Sequence, residues 1–125
     1  MAALLLTFVA APVAAATFVV TANFGMTFTP SNLTIYQGDS VTFYNGGGVH
    51  NVHADNERFH CSINCVTNNS PNATAWRSTV AFPLLGTIGY YCDEHGNKTS
   101  GMPGSITVLD RVFVDGFEAE TPALH

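Results

Sequence analysis

Gly89-Tyr-Tyr-Cys92-Asp-Glu-His95-Gly-Asn-Lys-Thr-Ser-Gly-Met102-Pro-Gly104 is the stretch on which the reading of this chain turns. It sets a thiol, an imidazole and a thioether on one short loop. The loop leaves an apolar, β-rich run at Thr87–Cys92 and enters another at Ser105–Leu109, so two adjacent strands are expected to clamp it at both ends. Thiolate, imidazole and thioether are soft to borderline donors, which suit copper far better than magnesium or calcium. A second imidazole is available upstream, at His50 in Gly48-Val-His-Asn-Val52.

The 125 residues suffice for one domain and one core. Charged residues make up only 10% of the chain, against about 25% in an average globular domain. The surface must therefore be built largely from Ser, Thr, Asn and Gly. Net charge is −5, and the only permanent cations are Arg58, Arg77, Lys98 and Arg111. A nucleic-acid binder would show a basic patch, so that class of partner is not expected. The acidic balance permits a cationic partner through electrostatic steering without identifying one.

Residues 1–16, MAALLLTFVAAPVAAA, carry no charge and end in Ala14-Ala15-Ala16. An apolar core followed by small residues is the secretory pattern, with cleavage expected after Ala16. The basic n-region of that pattern is missing; a start upstream of Met1 would supply it. A first core strand or a short anchor are the alternatives, but a run broken by Pro12 is short for a span of about 20 residues. No integral membrane span is expected in the mature chain, and a secreted or periplasmic location follows. Three cysteines in an exported chain imply one pair and one thiol left over. Cys61 and Cys65 are the natural disulfide, in an oxidising compartment. Cys92 then stays free, as a metal ligand must.

In chain order, strand patterns fall at Thr17–Asn23, Ser31–Tyr36, Ser40–Asn45, Val49–Ala54, Trp76–Phe82, Thr87–Cys92 and Ser105–Leu109. Asp55–Ala75, rich in Asn, Ser and Thr, reads as an irregular insertion stapled by its disulfide. No 3.6-residue apolar stripe is sustained anywhere. About seven short strands separated by turn signals predict an all-β sandwich or barrel. The tail, 110–125, includes Val112-Phe-Val-Asp-Gly-Phe117, apolar enough to dock or to be recognised. Asn32, Asn68, Asn72 and Asn97 head Asn-x-Ser/Thr triplets, and none is assigned a glycan.

A Cys-x2-His pair alone is weak evidence. Two His, one Cys and a weakly bound Met, in order and at strand ends, form the ligand set of a blue-copper site. Zinc accepts the same thiolate and imidazoles, but it would be silent in electron transfer. Here the chain resembles the cupredoxins of the plastocyanin and pseudoazurin type. The resemblance runs through Phe28-Thr-Pro30, Leu33-Thr-Ile35, Gly38-Asp-Ser-Val-Thr-Phe43 and His50-Asn-Val52. It resumes at Phe82-Pro83, Gly86-Thr-Ile-Gly-Tyr-Tyr-Cys92, His95 and Gly101-Met-Pro-Gly-Ser-Ile-Thr-Val108. It implies a cupredoxin-like Greek-key β-sandwich of about seven to eight strands over 17–109. It also implies one type 1 copper ion, with His50, Cys92 and His95 as equatorial ligands and Met102 as the axial one. Asn51 matches the residue whose amide ties the first ligand strand to the Cys loop.

Three features depart from the pattern. Six residues separate His95 from Met102, two more than in plastocyanin; Glu94 stands where Pro is usual; and Asp55–Ala75, with its disulfide, replaces a region that varies across the family. His53, His60 and His125 receive no role. The expected function is electron transfer by Cu(II)/Cu(I) cycling, with redox partner proteins docking near His95 on a monomer. The alternative is a copper carrier or sequestering module, disfavoured by the lack of Met-rich or His-rich tracts. An enzyme is not expected, because one domain with no His-x-His pair lacks the further copper ligands of multicopper oxidases.

Overall fold

The computed structural model describes residues 3–4, 14–66, 69–114 and 117–119. Most of the expected signal peptide and the end of the tail, with His125, lie outside these. In chain order the strands are β1 (Thr17–Ala22), β2 (Phe28–Thr29), β3 (Asn32–Tyr36), β4 (Ser40–Asn45), β5 (Val52–Ala54) and β6 (His60–Cys61). They continue as β7 (Arg77–Ala81), β8 (Gly86–Tyr91), β9 (Pro103–Leu109), β10 (Val112–Val114) and β11 (Phe117–Ala119). One sheet has the order β2-β1-β4-β7 and the other β3-β9-β8-β5-β6, with β10 and β11 forming a separate hairpin. The pairs β1–β4 and β3–β9 are parallel, while β8–β9 is antiparallel. The all-β sandwich expected from strand count and turn spacing is what the chain forms.

Alternation decides which side chains meet between the sheets. Val41, Phe43 and Asn45 of β4 point inward from the first sheet, and Ile88 and Tyr90 of β8 from the second. Tyr90 lies at the centre, edge-on to Phe28 (4.9 Å) and Phe43 (5.3 Å). Gly104 stands opposite it in β9, and a Cβ there would collide with the Tyr90 ring. Each buried Phe, Ile or Val contributes about 1.5–3 kcal/mol of transfer free energy.

Three segments differ from expectation. The strand expected over Val49–Ala54 begins only at Val52, because the backbone of His50 pairs instead with Asn72 (Asn72 N to His50 O, 3.0 Å). The insertion contains β6, which adds to the sheet through Val52↔Cys61 and His53↔His60. Pro103 and Gly104 belong to β9 rather than preceding it.

At the pole away from the Cys92 loop, Asp39 gathers three chain segments. Its buried carboxylate accepts hydrogen bonds from Ala16 N (2.9 Å), Tyr36 N (2.9 Å) and Arg111 Nη2 (2.7 Å). Removing one member of a buried charge pair costs about 3–5 kcal/mol, because the partner charge is stranded. Asp39→Ala should therefore lower unfolding free energy by about 3 kcal/mol in urea titration. A loss below 1 kcal/mol would show that the three segments are held by other contacts.

Candidate metal centre

The β8–β9 pair builds the loop. Tyr91 stands opposite Pro103, so Cys92 and Met102 emerge side by side, and Cys92 N donates to Met102 O at 3.2 Å. His95 N turns back to Cys92 O at 3.2 Å. The extra residues between His95 and Met102 are absorbed in a closed turn. Asn97 N donates to Ser100 O (2.9 Å), while its side-chain oxygen accepts from Thr99 N (2.9 Å) and Ser100 N (3.1 Å). Gly101 ends that turn at φ +97°, where a side chain would be strained and would also strike His95 O. The longer spacer thus loops outward without displacing Met102, which is buried.

His50 is fixed from behind. Asn45, itself buried, donates to the carbonyls of Gly48 (2.9 Å), Asn72 (3.0 Å) and Thr74 (2.8 Å) and accepts from Gly47 N (3.1 Å). Trp76 Nε1 donates to His50 O at 3.1 Å. Gly48 at φ +89° lies against the imidazole, where a Cβ would sit 3.0 Å from Nε2. Neither Asn45, Asn72 nor Trp76 is marked as functional in the sequence, since each reaches the site through contacts distant along the chain.

These segments bring His50, Cys92 and His95 together. One donor atom from each lies within 4.8 Å of the others. Cys92 Sγ stands 3.8 Å from His50 Nδ1 and 3.5 Å from His95 Nδ1. His50 and Cys92 are fully buried and His95 is half-buried. Met102 completes the group. Burial pushes the His50 imidazole down, a push the nearby Gly47 carbonyl only partly offsets, which favours the neutral ring that a metal requires. Burial also pushes the Cys92 thiol up, against the backbone amides of Asn51, Glu94 and His95. Without a cation the thiolate is disfavoured here; with one it is the strongest donor. A largely buried set of one thiol, two imidazole nitrogens and a thioether fits copper.

Asn51 joins the two halves. Its Oδ1 accepts from Asp93 N at 2.8 Å and its Nδ2 donates to Asp93 Oδ2 at 2.7 Å, across 42 residues of chain. Beside it lie two histidines for which no role is expected from sequence. His53 points away from the Val52 side, as its strand parity requires, and its Nδ1 reaches Asp93 Oδ1 at 3.0 Å. His60 Nε2 reaches Asp93 Oδ2 at 3.0 Å. Burial works against a charged His53, but hydrogen bonds to Asp93 and Glu57 outweigh it and raise its pKa. The signal for this cluster was the pairing of β5 with β6, hidden because Asp55–Ala75 looks irregular.

The copper binding proteins of the plastocyanin/azurin family have a sequence profile that matches residues 14–109. Plastocyanin A/B of Petroselinum crispum is 31% identical over 88 residues, spanning 67% of this chain and 89% of that protein. Plastocyanin of Scenedesmus fuscus is 33% identical over 87 residues, spanning 66% and 87%. Among solved structures, a purple cupredoxin from Nitrosopumilus maritimus superposes with a TM-score of 0.54 at 25% identity, over 74% of this chain and 99% of that one. With its sandwich, its clamped loop and its His50-Cys92-His95-Met102 cluster, the chain belongs to the plastocyanin/azurin family of copper binding proteins, the cupredoxins.

Proposed function

We propose that this protein is an electron carrier working outside the cytoplasm, in which His50, Cys92, His95 and Met102 would hold one copper ion. The observation that carries the reading is the convergence of the Cys92 thiol with two imidazole nitrogens inside a buried pocket. Copper, once bound, supplies the Cu(II)/Cu(I) couple. The chain's part is to keep the four donors in place while the charge changes. The Cys92–Met102 backbone bond, the Asn97 turn and the Asn45 and Asn51 amides oppose movement of the ligand segments. Asn51 orients the ligand segments without touching the metal.

Half-buried His95 is the edge through which the electron would pass to a docked partner. Val49 and Phe24, the latter 82% exposed and packed beside Gly47, offer apolar surface for that docking. The reading assigns 17–109 to the copper domain, 1–16 to an export signal and 110–125 to a tail. The Cys61–Cys65 disulfide supports an oxidising compartment. No catalytic activity is assigned, and no helix among the described residues is long and apolar enough to cross a membrane.

Visible absorption of the Cu(II)-loaded protein tests the ligand set. An intense thiolate-to-copper band is expected, and it should vanish in Cys92→Ser. A pale wild type would remove the electron-carrier reading. His95→Gly tests the route: electron exchange should slow severely, while the stability of the metal-free protein shifts by about 1 kcal/mol or less. Wild-type exchange kinetics in that variant would sink the assignment of His95 as the edge.

A further inference from the structure

The cluster of His53, His60, Asp93 and Glu57 is not used by the proposed function. His53 and His60 face each other across β5–β6, their rings stacked 3.8 Å apart at an interplanar angle of 9°. Two readings compete. In the first, His53, His60 and Asp93 hold a second divalent ion, since their donor atoms lie within 4.8 Å of one another. An imidazole binds a metal in its own ring plane, at about 2 Å from nitrogen. Two nearly parallel planes 3.8 Å apart share no such point, so both rings cannot serve one ion as they lie.

Counting donors supports the other reading. Asn51 Nδ2 has two hydrogens and three neighbours: Asp93 Oδ2 (2.7 Å), Asn69 O (3.1 Å) and His60 Nε2 (3.0 Å). The two oxygens take both hydrogens. An ionised carboxylate only accepts, so His60 Nε2, bonded to Asp93 Oδ2, carries its own hydrogen and donates it there. His53 faces carboxylates on both sides, Asp93 at Nδ1 and Glu57 at Nε2 (2.7 Å), so both of its nitrogens donate. The Asp93 carboxylate is therefore pinned by three donors: Asn51, His53 and His60. Pinned in that position, it holds the Asn51 amide, whose other end accepts from Asp93 N.

We propose that His53 and His60 are positioning residues for the metal centre, clasping Asp93 so that Asn51 fixes His50 relative to Cys92. This rests on the ligand assignment proposed above. It gives the insertion a purpose: the Cys61–Cys65 bond holds the strand from which His60 reaches Asp93. Removing a hydrogen-bond partner behind a ligand lowers metal affinity by about 10–100-fold.

The test compares wild type with His60→Ala, His60→Gln and His53→Ala. Two quantities are read: Cu(I) affinity by chelator competition, and hydrogen exchange of the Asp93 amide in metal-free protein. In His60→Ala, affinity should fall about tenfold and Asp93 exchange should accelerate. Gln keeps a donor that can reach the carboxylate and should restore both; His53→Ala should act in the same direction as His60→Ala. Wild-type affinity in both alanine variants overturns the proposal, whatever exchange does. Equal losses in His60→Ala and His60→Gln also overturn it, since they would reflect general disruption of β6. Zinc is titrated into the copper-loaded wild type as well. Uptake of one equivalent that disappears in His60→Ala overturns the clasp in favour of an ion site. A wild type without the thiolate band defeats the copper reading itself, and Asp93 exchange alone then decides whether the clasp exists.

Discussion

The pair of hydrogen bonds between the Asn51 amide and Asp93 is the constraint on which the metal centre depends. His50 and Cys92 sit on different segments, and nothing in a sandwich core prescribes their separation to a fraction of an ångström. Hydrophobic packing is non-directional and fixes sheets only approximately. A planar amide bonded at both ends fixes distance and angle together. The same logic recurs at Asn45, whose amide sets the Gly46–Gly48 turn, and at Asn97, which closes the ligand loop. Three asparagines thus convert an apolar scaffold into a defined cluster of donors.

Electrostatics at the site follow from its burial. Burial disfavours both a charged His50 and an ionised Cys92. A copper ion held by these residues would favour the Cys92 thiolate through its positive charge. Thiol ionisation would accompany metal binding at such a site, and its soft donors suit copper better than cations that prefer hard oxygen ligands.

Much of this was legible from local sequence. Cys92, His95 and Met102 lie on one loop, and a loop clamped by two strands leaves its side chains few places to go. The main strands were readable to within a residue or two from their alternation, as Ser40–Asn45 shows. What local sequence could not reveal were pairings between distant segments. His50 joins Asn72 rather than extending β5, because the insertion folds back onto it. His53 and His60 meet only once β6 adds to the sheet edge, and a two-residue strand within an Asn- and Ser-rich stretch has no periodicity to detect. The two added residues of the His95–Met102 spacer are carried in the Asn97 turn, a shape that spacing alone does not specify.

The Asp39 clasp has a consequence for how the molecule can be held. Ala16 and Arg111 meet at that carboxylate, so the segment entering β1 and the segment leaving β9 depart from the same pole. The six residues of β8 span about 20 Å between that pole and Cys92. Any tether joined to either end would grip the domain from its base and leave the opposite face turned outward.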